Sequence, residues 1–228
     1  VLELKKPPAE LERLVAVRKA YLAQYQNAAY AAKYEALVRK VAAAEREATG
    51  TDRLAIAVAR NYFKLMAYKD EYEVARLYSD GEFLARVNEQ FEGDWKLRFY
   101  LAPPLLARPG PDGRPRKHAY GHGMLRVFRM LARLRFLRGT RFDPFGYAAE
   151  RKAERALMRE YGETMAAILG KLNRGNLDRA VELASLPEEI RGYGPVKEAA
   201  MARAARRREK LLEGFSATVV KLGGIRAA

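Results

Sequence analysis

Tyr62-Phe63-Lys64-Leu65-Met66-Ala67-Tyr68-Lys69-Asp70-Glu71-Tyr72-Glu73-Val74-Ala75-Arg76-Leu77-Tyr78 decides how the chain folds. Its apolar residues fall three and four apart, the period of an amphipathic helix, and Lys69, Glu73 and Arg76 are spaced to form ion pairs along it. Upstream, Thr49-Gly50-Thr51-Asp52 supplies a helix-ending glycine and then an N-cap, so the spacing predicts a helix from near Arg53 through Tyr78. Further upstream, Leu11, Leu14, Val15, Leu22 and Tyr25 keep the same period, and Tyr34, Leu37 and Val41 continue it. Pro7 and Pro8 stand where a first turn tolerates them. One long helix or a kinked pair is expected there, folded against the next helix as an antiparallel hairpin.

Downstream, Ser79-Asp80-Gly81-Glu82 has the Ser-x-x-Glu arrangement of a capping box and predicts a short helix from Phe83 to Phe91. After Gly93 the period changes to two. Trp95, Leu97, Phe99 and Leu101 alternate with Lys96, Arg98 and Tyr100, as in a half-buried strand that Pro103-Pro104 ends. Pro109-Gly110-Pro111-Asp112-Gly113 marks a turn, with Lys117 to Tyr120 as the returning partner strand. Helix resumes at Met124, with Leu125, Phe128, Leu131, Leu134 and Leu137 on one face, and Gly139 closes it. Asp143-Pro144 reads as the cap and first residue of a long helix ending near Asn173. Asn176 to Leu186 forms another helix, and Pro195 starts the last, reaching about Phe215. The expected class is mainly α: an antiparallel helical bundle, one domain over residues 1–228, with a small β-hairpin insertion around residues 95–120.

A hydrophobic fraction of 49% and a mean hydropathy of −0.36 are those of a chain that buries a sizeable core. No uncharged apolar run approaches the roughly 20 residues that a bilayer-spanning helix needs. The chain begins Val1-Leu2-Glu3-Leu4-Lys5-Lys6, without an initiator methionine or the basic-then-apolar pattern of a secretory signal, and is expected to be a fragment or a processed product. It contains no cysteine, which fits the cytoplasm and excludes disulfides, cysteine-ligated zinc and ordinary iron–sulfur clusters within it.

A formal charge of +15 should attract acidic proteins or other polyanions, and its distribution says where. From Lys96 to Arg141 the basic residues are opposed only by Asp112. Arg126, Arg129 and Arg133 share a helical face, and Arg114, Arg116 and Lys117 lie in the loop before it, so this stretch is the candidate docking surface. Surface arginine also serves solubility alone. Arg191 and Lys197 flank Gly192-Tyr193-Gly194-Pro195 at a helix start, a place that favours anions, although glycines there also make an ordinary loop. Within the opening stretch, Tyr68, Asp70, Glu71 and Tyr72 form a candidate polar lining toward a partner or ligand. The competing reading is a buried helix whose phenols satisfy backbone groups. His118 and His122, divided by Gly121, lack the carboxylates that would complete a metal site. No catalytic residue is assigned.

The wording of five segments resembles, in the same order, the C-terminal region of the long, fused indolepyruvate:ferredoxin oxidoreductases, a branch of the thiamine-dependent 2-oxoacid:ferredoxin oxidoreductases. They are Tyr25-Gln26-Asn27-Ala28-Ala29-Tyr30-Ala31, the opening stretch, Leu101-Ala102-Pro103-Pro104-Leu105-Leu106, Arg138-Gly139-Thr140-Arg141-Phe142-Asp143-Pro144-Phe145-Gly146 and Ile190-Arg191-Gly192-Tyr193-Gly194. The resemblance implies a parent enzyme that oxidatively decarboxylates arylpyruvates with coenzyme A, using thiamine diphosphate, magnesium and 4Fe–4S clusters and reducing ferredoxin. No cluster or thiamine motif of that machinery occurs in this chain. The expected role is therefore an accessory domain, serving assembly or offering a basic docking surface to acidic ferredoxin. A nucleic-acid- or polyanion-binding helical module is the alternative that charge alone suggests.

Overall fold

The computed structural model describes residues 9–102, 116–192 and 194–223. The chain is mainly helical, an antiparallel bundle with one small antiparallel hairpin. Its backbone clusters into two compact units, residues 1–67 with 153–228, and residues 68–152.

In the first unit, α1 (Glu10–Tyr25) buries Leu11, Val15, Leu22 and Tyr25, and α2 (Ala28–Thr49) buries Tyr34, Val38 and Val41. Burial of each such side chain stabilises by about 1.5–3 kcal/mol. The periodic run is thus a pair of helices, parted at Gln26 because Asn27 adopts extended backbone and its Oδ1 accepts the Tyr30 N–H at 2.8 Å. The pair is antiparallel, since Glu12 meets Arg39 at one end and Lys19 meets Glu35 further along. Gly50, at φ +78°, ends α2 in the left-handed conformation the sequence anticipates.

α3 (Arg53–Met66) begins where expected, but not by the expected cap. Asp52 pairs with Arg46 at 2.7 Å and makes no capping bond. The N–H groups of Leu54 and Ala55 instead donate to the carboxylate of Glu45, at 2.9 and 2.8 Å, and Thr51 Oγ1 donates to it at 2.7 Å. A fully buried acid on α2 therefore caps α3, where the unpaired N–H groups and the helix dipole favour negative charge. α3 also carries Tyr62, which stacks on Tyr161 of α7 (Ala149–Leu169) with ring centres 5.9 Å apart. α8 (Leu177–Ser185), a 3₁₀ turn at Leu186–Glu189 and α9 (Pro195–Gly223) complete this unit.

The buried Tyr34 hydroxyl donates to the Ala59 carbonyl at 3.0 Å, and burial pushes its phenol up to about 12 against the opposing influence of Arg18. An unfolded phenol titrates near pH 10, so the unfolded chain loses this proton first; the stability is complete below about pH 10 and falls as pH rises toward 12. Tyr34→Phe should flatten that alkaline decline in thermal melts, while losing about 1 kcal/mol at neutral pH with the hydroxyl's bond. A decline as steep as that of the wild type would assign the alkaline sensitivity to other groups.

In the second unit the expected continuous helix is corrected. α3 stops at Met66 and α4 spans Glu71–Ser79, because Asp70 adopts extended backbone and its Oδ1 accepts the Glu73 N–H at 2.8 Å. The expected capping box does not form either. Ser79 lies inside α4 with its hydroxyl on the Ala75 carbonyl at 2.7 Å, and Gly81, at φ +95°, makes the turn into α5 (Glu82–Gln90). The strand is shorter than its alternation: β1 (Phe99–Leu101) pairs with β2 (His118–Tyr120) in the register Phe99 with Tyr120, Tyr100 with Ala119 and Leu101 with His118. Phe99 packs inward beside Tyr78 and Phe128, at ring-centre distances of 5.3 and 5.2 Å. α6 (Met124–Arg133) buries Leu125, Phe128 and Ala132 and runs on into a 3₁₀ turn at Leu134–Leu137. Asp143-Pro144 does not start a helix. The Asp143 carboxylate is turned inward and accepts from the N–H groups of Gly139 and Phe145, so α7 begins later, at Ala149.

Candidate functional site

The acid-poor stretch becomes a defined surface on α6. Arg126, Arg129 and Arg133 are exposed and fall within one arc of the helix, because positions three, four and seven apart share a face. None makes an ion pair among the described residues. Beside them on the exposed side stand Met130, 60% accessible, and Val127, 43% accessible; Phe136 in the following turn is also exposed. Arg116 and Lys117 are exposed too, but they precede β2, whose three residues span roughly 10 Å, and the turn at 121–123 follows before α6 begins. Arg114 lies outside the described residues.

Arg138, just past the 3₁₀ turn that follows α6, is the exception to this surface. It is 4% accessible and donates from Nε and Nη2 to Asp70 at 2.5 and 2.8 Å, Asp70 itself being 3% accessible. Such a bidentate fork is the strongest form of carboxylate pairing. The same carboxylate caps α4, so one side chain fixes a helix start and a buried cation together. Tyr72 is buried beside this pair, its hydroxyl donating to Asp143 Oδ1 at 3.1 Å; burial first, and the neighbouring Asp143 second, hold its phenol above the ordinary range. The structure thus separates the four residues of the candidate lining. Asp70 and Tyr72 belong to an interior network. Glu71 is half-buried and meets Arg151 at 3.4 Å, and the Arg151 guanidinium lies 5.8 Å from the ring centre of Tyr68.

Next to Glu71 the second unit has a pocket of about 240 Å³. Val74, Leu101, Met124, Phe128, Leu131 and Phe145 line it, with Lys69, Asp70, Glu71 and Arg151 as its charged members. Sequence reasoning gave no site role to Arg138, Asp143 or Arg151: Arg138 and Arg151 find their partners Asp70 and Glu71 far away along the chain, and Asp143, read as a helix cap, reaches the equally distant Tyr72.

At the other candidate, in the first unit, Lys197 is held by the buried carboxylate of Glu154, and Arg191 Nε donates to the Glu188 carbonyl at 3.0 Å. Lys64 joins them, donating to the carbonyls of Pro187 and Ile190 at 2.6 and 3.1 Å. Burial, then Arg191, lowers the Lys64 pKa. These cations are engaged in closing the turn that leads into α9. Among the described residues no group of three or more His, Cys, Asp or Glu side chains can hold a metal ion, and no helix is long and apolar enough to cross a membrane. His118 and His122 are both exposed.

No curated protein and no solved structure matches the chain. A family model does, over residues 11–210, which takes in both units, the buried Asp70–Arg138 pair and the whole of α6. The chain therefore belongs to the family described as a family of unknown function, DUF6537.

Proposed function

We propose that this chain is a helical accessory domain of an indolepyruvate-type 2-oxoacid:ferredoxin oxidoreductase, and that the α6 face docks the acidic electron carrier of that enzyme. The observation that carries the docking role is the trio Arg126, Arg129 and Arg133, exposed on one helix without a carboxylate on that helix. Like charges three and four apart on a helix repel by a few tenths of a kcal/mol per pair, and a partner of opposite sign relieves that repulsion. The placement in an oxidoreductase rests on the resemblance of the five segments. In this reading thiamine diphosphate, magnesium and the 4Fe–4S clusters belong to the rest of the parent enzyme, and the domain contributes shape and positive potential.

A nucleic acid would also answer the charge. The exposed Met130, Val127 and Phe136 beside the arginines favour a protein, because protein interfaces are enriched in Arg, Met and aromatic side chains, whereas a phosphate backbone gains little from aliphatic neighbours. Reversing Arg126, Arg129 and Arg133 together to glutamate in the parent enzyme should slow ferredoxin reduction at low salt by about tenfold or more, since steering of this kind raises association rates by 10–10³. The difference should shrink as salt shortens the screening length to about 8 Å at physiological ionic strength. Equal rates for variant and wild type at low salt would remove the docking role and leave assembly. Retention of duplex DNA by the wild type but not the variant, with no effect on ferredoxin, would favour the nucleic-acid module.

A further inference from the structure

The outer face of the hairpin has no part in that reading, and it pairs different groups. Side chains alternate along a strand, and Leu97, Phe99 and Leu101 turn with Tyr120 into the hydrophobic cluster of the second unit. Lys96, Arg98 and Tyr100 are left on the opposite face, where all three are exposed. The pairing of Tyr100 with Ala119 puts Ala119 on that face too, and the exposed Lys117, two residues back along the partner strand, joins it diagonally to Tyr100. Alternate residues of one strand stand about 7 Å apart and diagonal neighbours about 7–8 Å, so the Tyr100 ring lies between two cations.

That ring is 63% accessible and makes no ring contact among the described residues. Lys96, Arg98 and Lys117 make no ion pair among them either, and Asp112, the one acid between Lys96 and Tyr120 in the sequence, lies outside them. Cations around an uncovered aromatic ring find their complement in a chain of phosphates that carries flat rings of its own. Sheet aromatics stack unpaired bases in this way while Lys and Arg beside them hold the backbone. The neighbours of Tyr100 on this face are Ala119 and cations, so it lacks the large aliphatic side chains that favour a protein on α6. A duplex keeps its base faces inside the stack, whereas a single strand can offer one.

We propose that the outer face of the hairpin binds single-stranded nucleic acid, with one base stacked on Tyr100 and the flanking phosphates set against Arg98 and Lys117. The contacted groups, base face and phosphate, are common to RNA and DNA, so a strand of either kind is the same occupant. The surface is independent of any electron-carrier docking on α6.

Fluorescence anisotropy of a labelled deoxythymidine decamer, titrated with the full chain at several salt concentrations, tests it. Saturable binding is expected, with affinity falling as salt rises. Tyr100→Ala should weaken it about fivefold or more and leave the slope of log affinity against log salt unchanged, since stacking releases no counterion. Tyr100→Phe keeps the ring and should bind as the wild type does. Arg98→Ala and Lys117→Ala should each make the slope shallower by about 0.7. Absence of saturable binding at low salt overturns the proposal. So does wild-type affinity in Tyr100→Ala, which leaves charge alone, or an equal loss from Tyr100→Ala on a duplex of the same length. A slope unchanged by both Arg98→Ala and Lys117→Ala places the phosphates elsewhere and overturns it too. All three side chains are exposed, so these variants keep the fold.

Discussion

Asp70→Ala is expected to lower stability by about 4–6 kcal/mol, combining the loss of a buried ion pair with the loss of a helix cap. The magnitude follows from two simultaneous roles: the carboxylate accepts both hydrogen bonds from the 4% accessible Arg138 and also the Glu73 N–H at the start of α4. Alanine removes the cap and leaves the guanidinium buried without the charge that matched it. Whole domains are stable by only about 5–15 kcal/mol, so the variant should expose much of residues 68–152 to amide hydrogen exchange. Asp70→Asn keeps an oxygen for the cap and should lose less. Combining Asp70→Asn with Arg138→Met should cost less than the sum of the two single changes, because the second change removes the stranded cation. Strict additivity in urea denaturation would show that the pair is not coupled and that Asp70 acts through its cap alone.

Glu45→Ala comes next, at about 3–5 kcal/mol. Glu45 is fully buried and accepts from Thr51 Oγ1, Leu54 N and Ala55 N, so truncation strands two buried N–H donors at the orphan end of α3, while the part-buried Thr51 hydroxyl keeps Thr49 Oγ1 as a neighbour at 3.1 Å. Each charge-assisted bond contributes about 1.5–3 kcal/mol, and a stranded buried donor cannot recover it from water. Glu45→Gln should fall between alanine and wild type, since the amide offers one acceptor and turns a donor toward a donor. A loss below about 1 kcal/mol for Glu45→Ala, read from chemical denaturation, would mean that Asp52 has turned from Arg46 to take over the cap.

The arginine trio on α6 is legible in the sequence itself, because three arginines at helical spacing on an otherwise acid-free helix share a face whatever that helix packs against. The pocket is not, for its wall comes from α4, β1, α6 and Phe145, and nothing local marks Val74 as facing Leu131. Arg138 shows the limit of reading charge by composition. In the sequence it is one more member of a basic run; in the fold it is an interior cation committed to Asp70.

The amino-acid sequence by itself determined the helical class, the position of the hairpin and the left-handed turn at Gly50, since periodicity and glycine conformation act over one or two turns of chain. Tertiary structure decided where several helices begin and end. Asp52 and Asp143 both read as caps in the sequence, yet the first turns to Arg46 and the second turns inward to Tyr72 and the Gly139 N–H, while Asp70, expected inside a continuous helix, caps α4 and holds Arg138. A carboxylate takes the best donors within its reach, and which donors those are is fixed only when distant parts of the chain have come together.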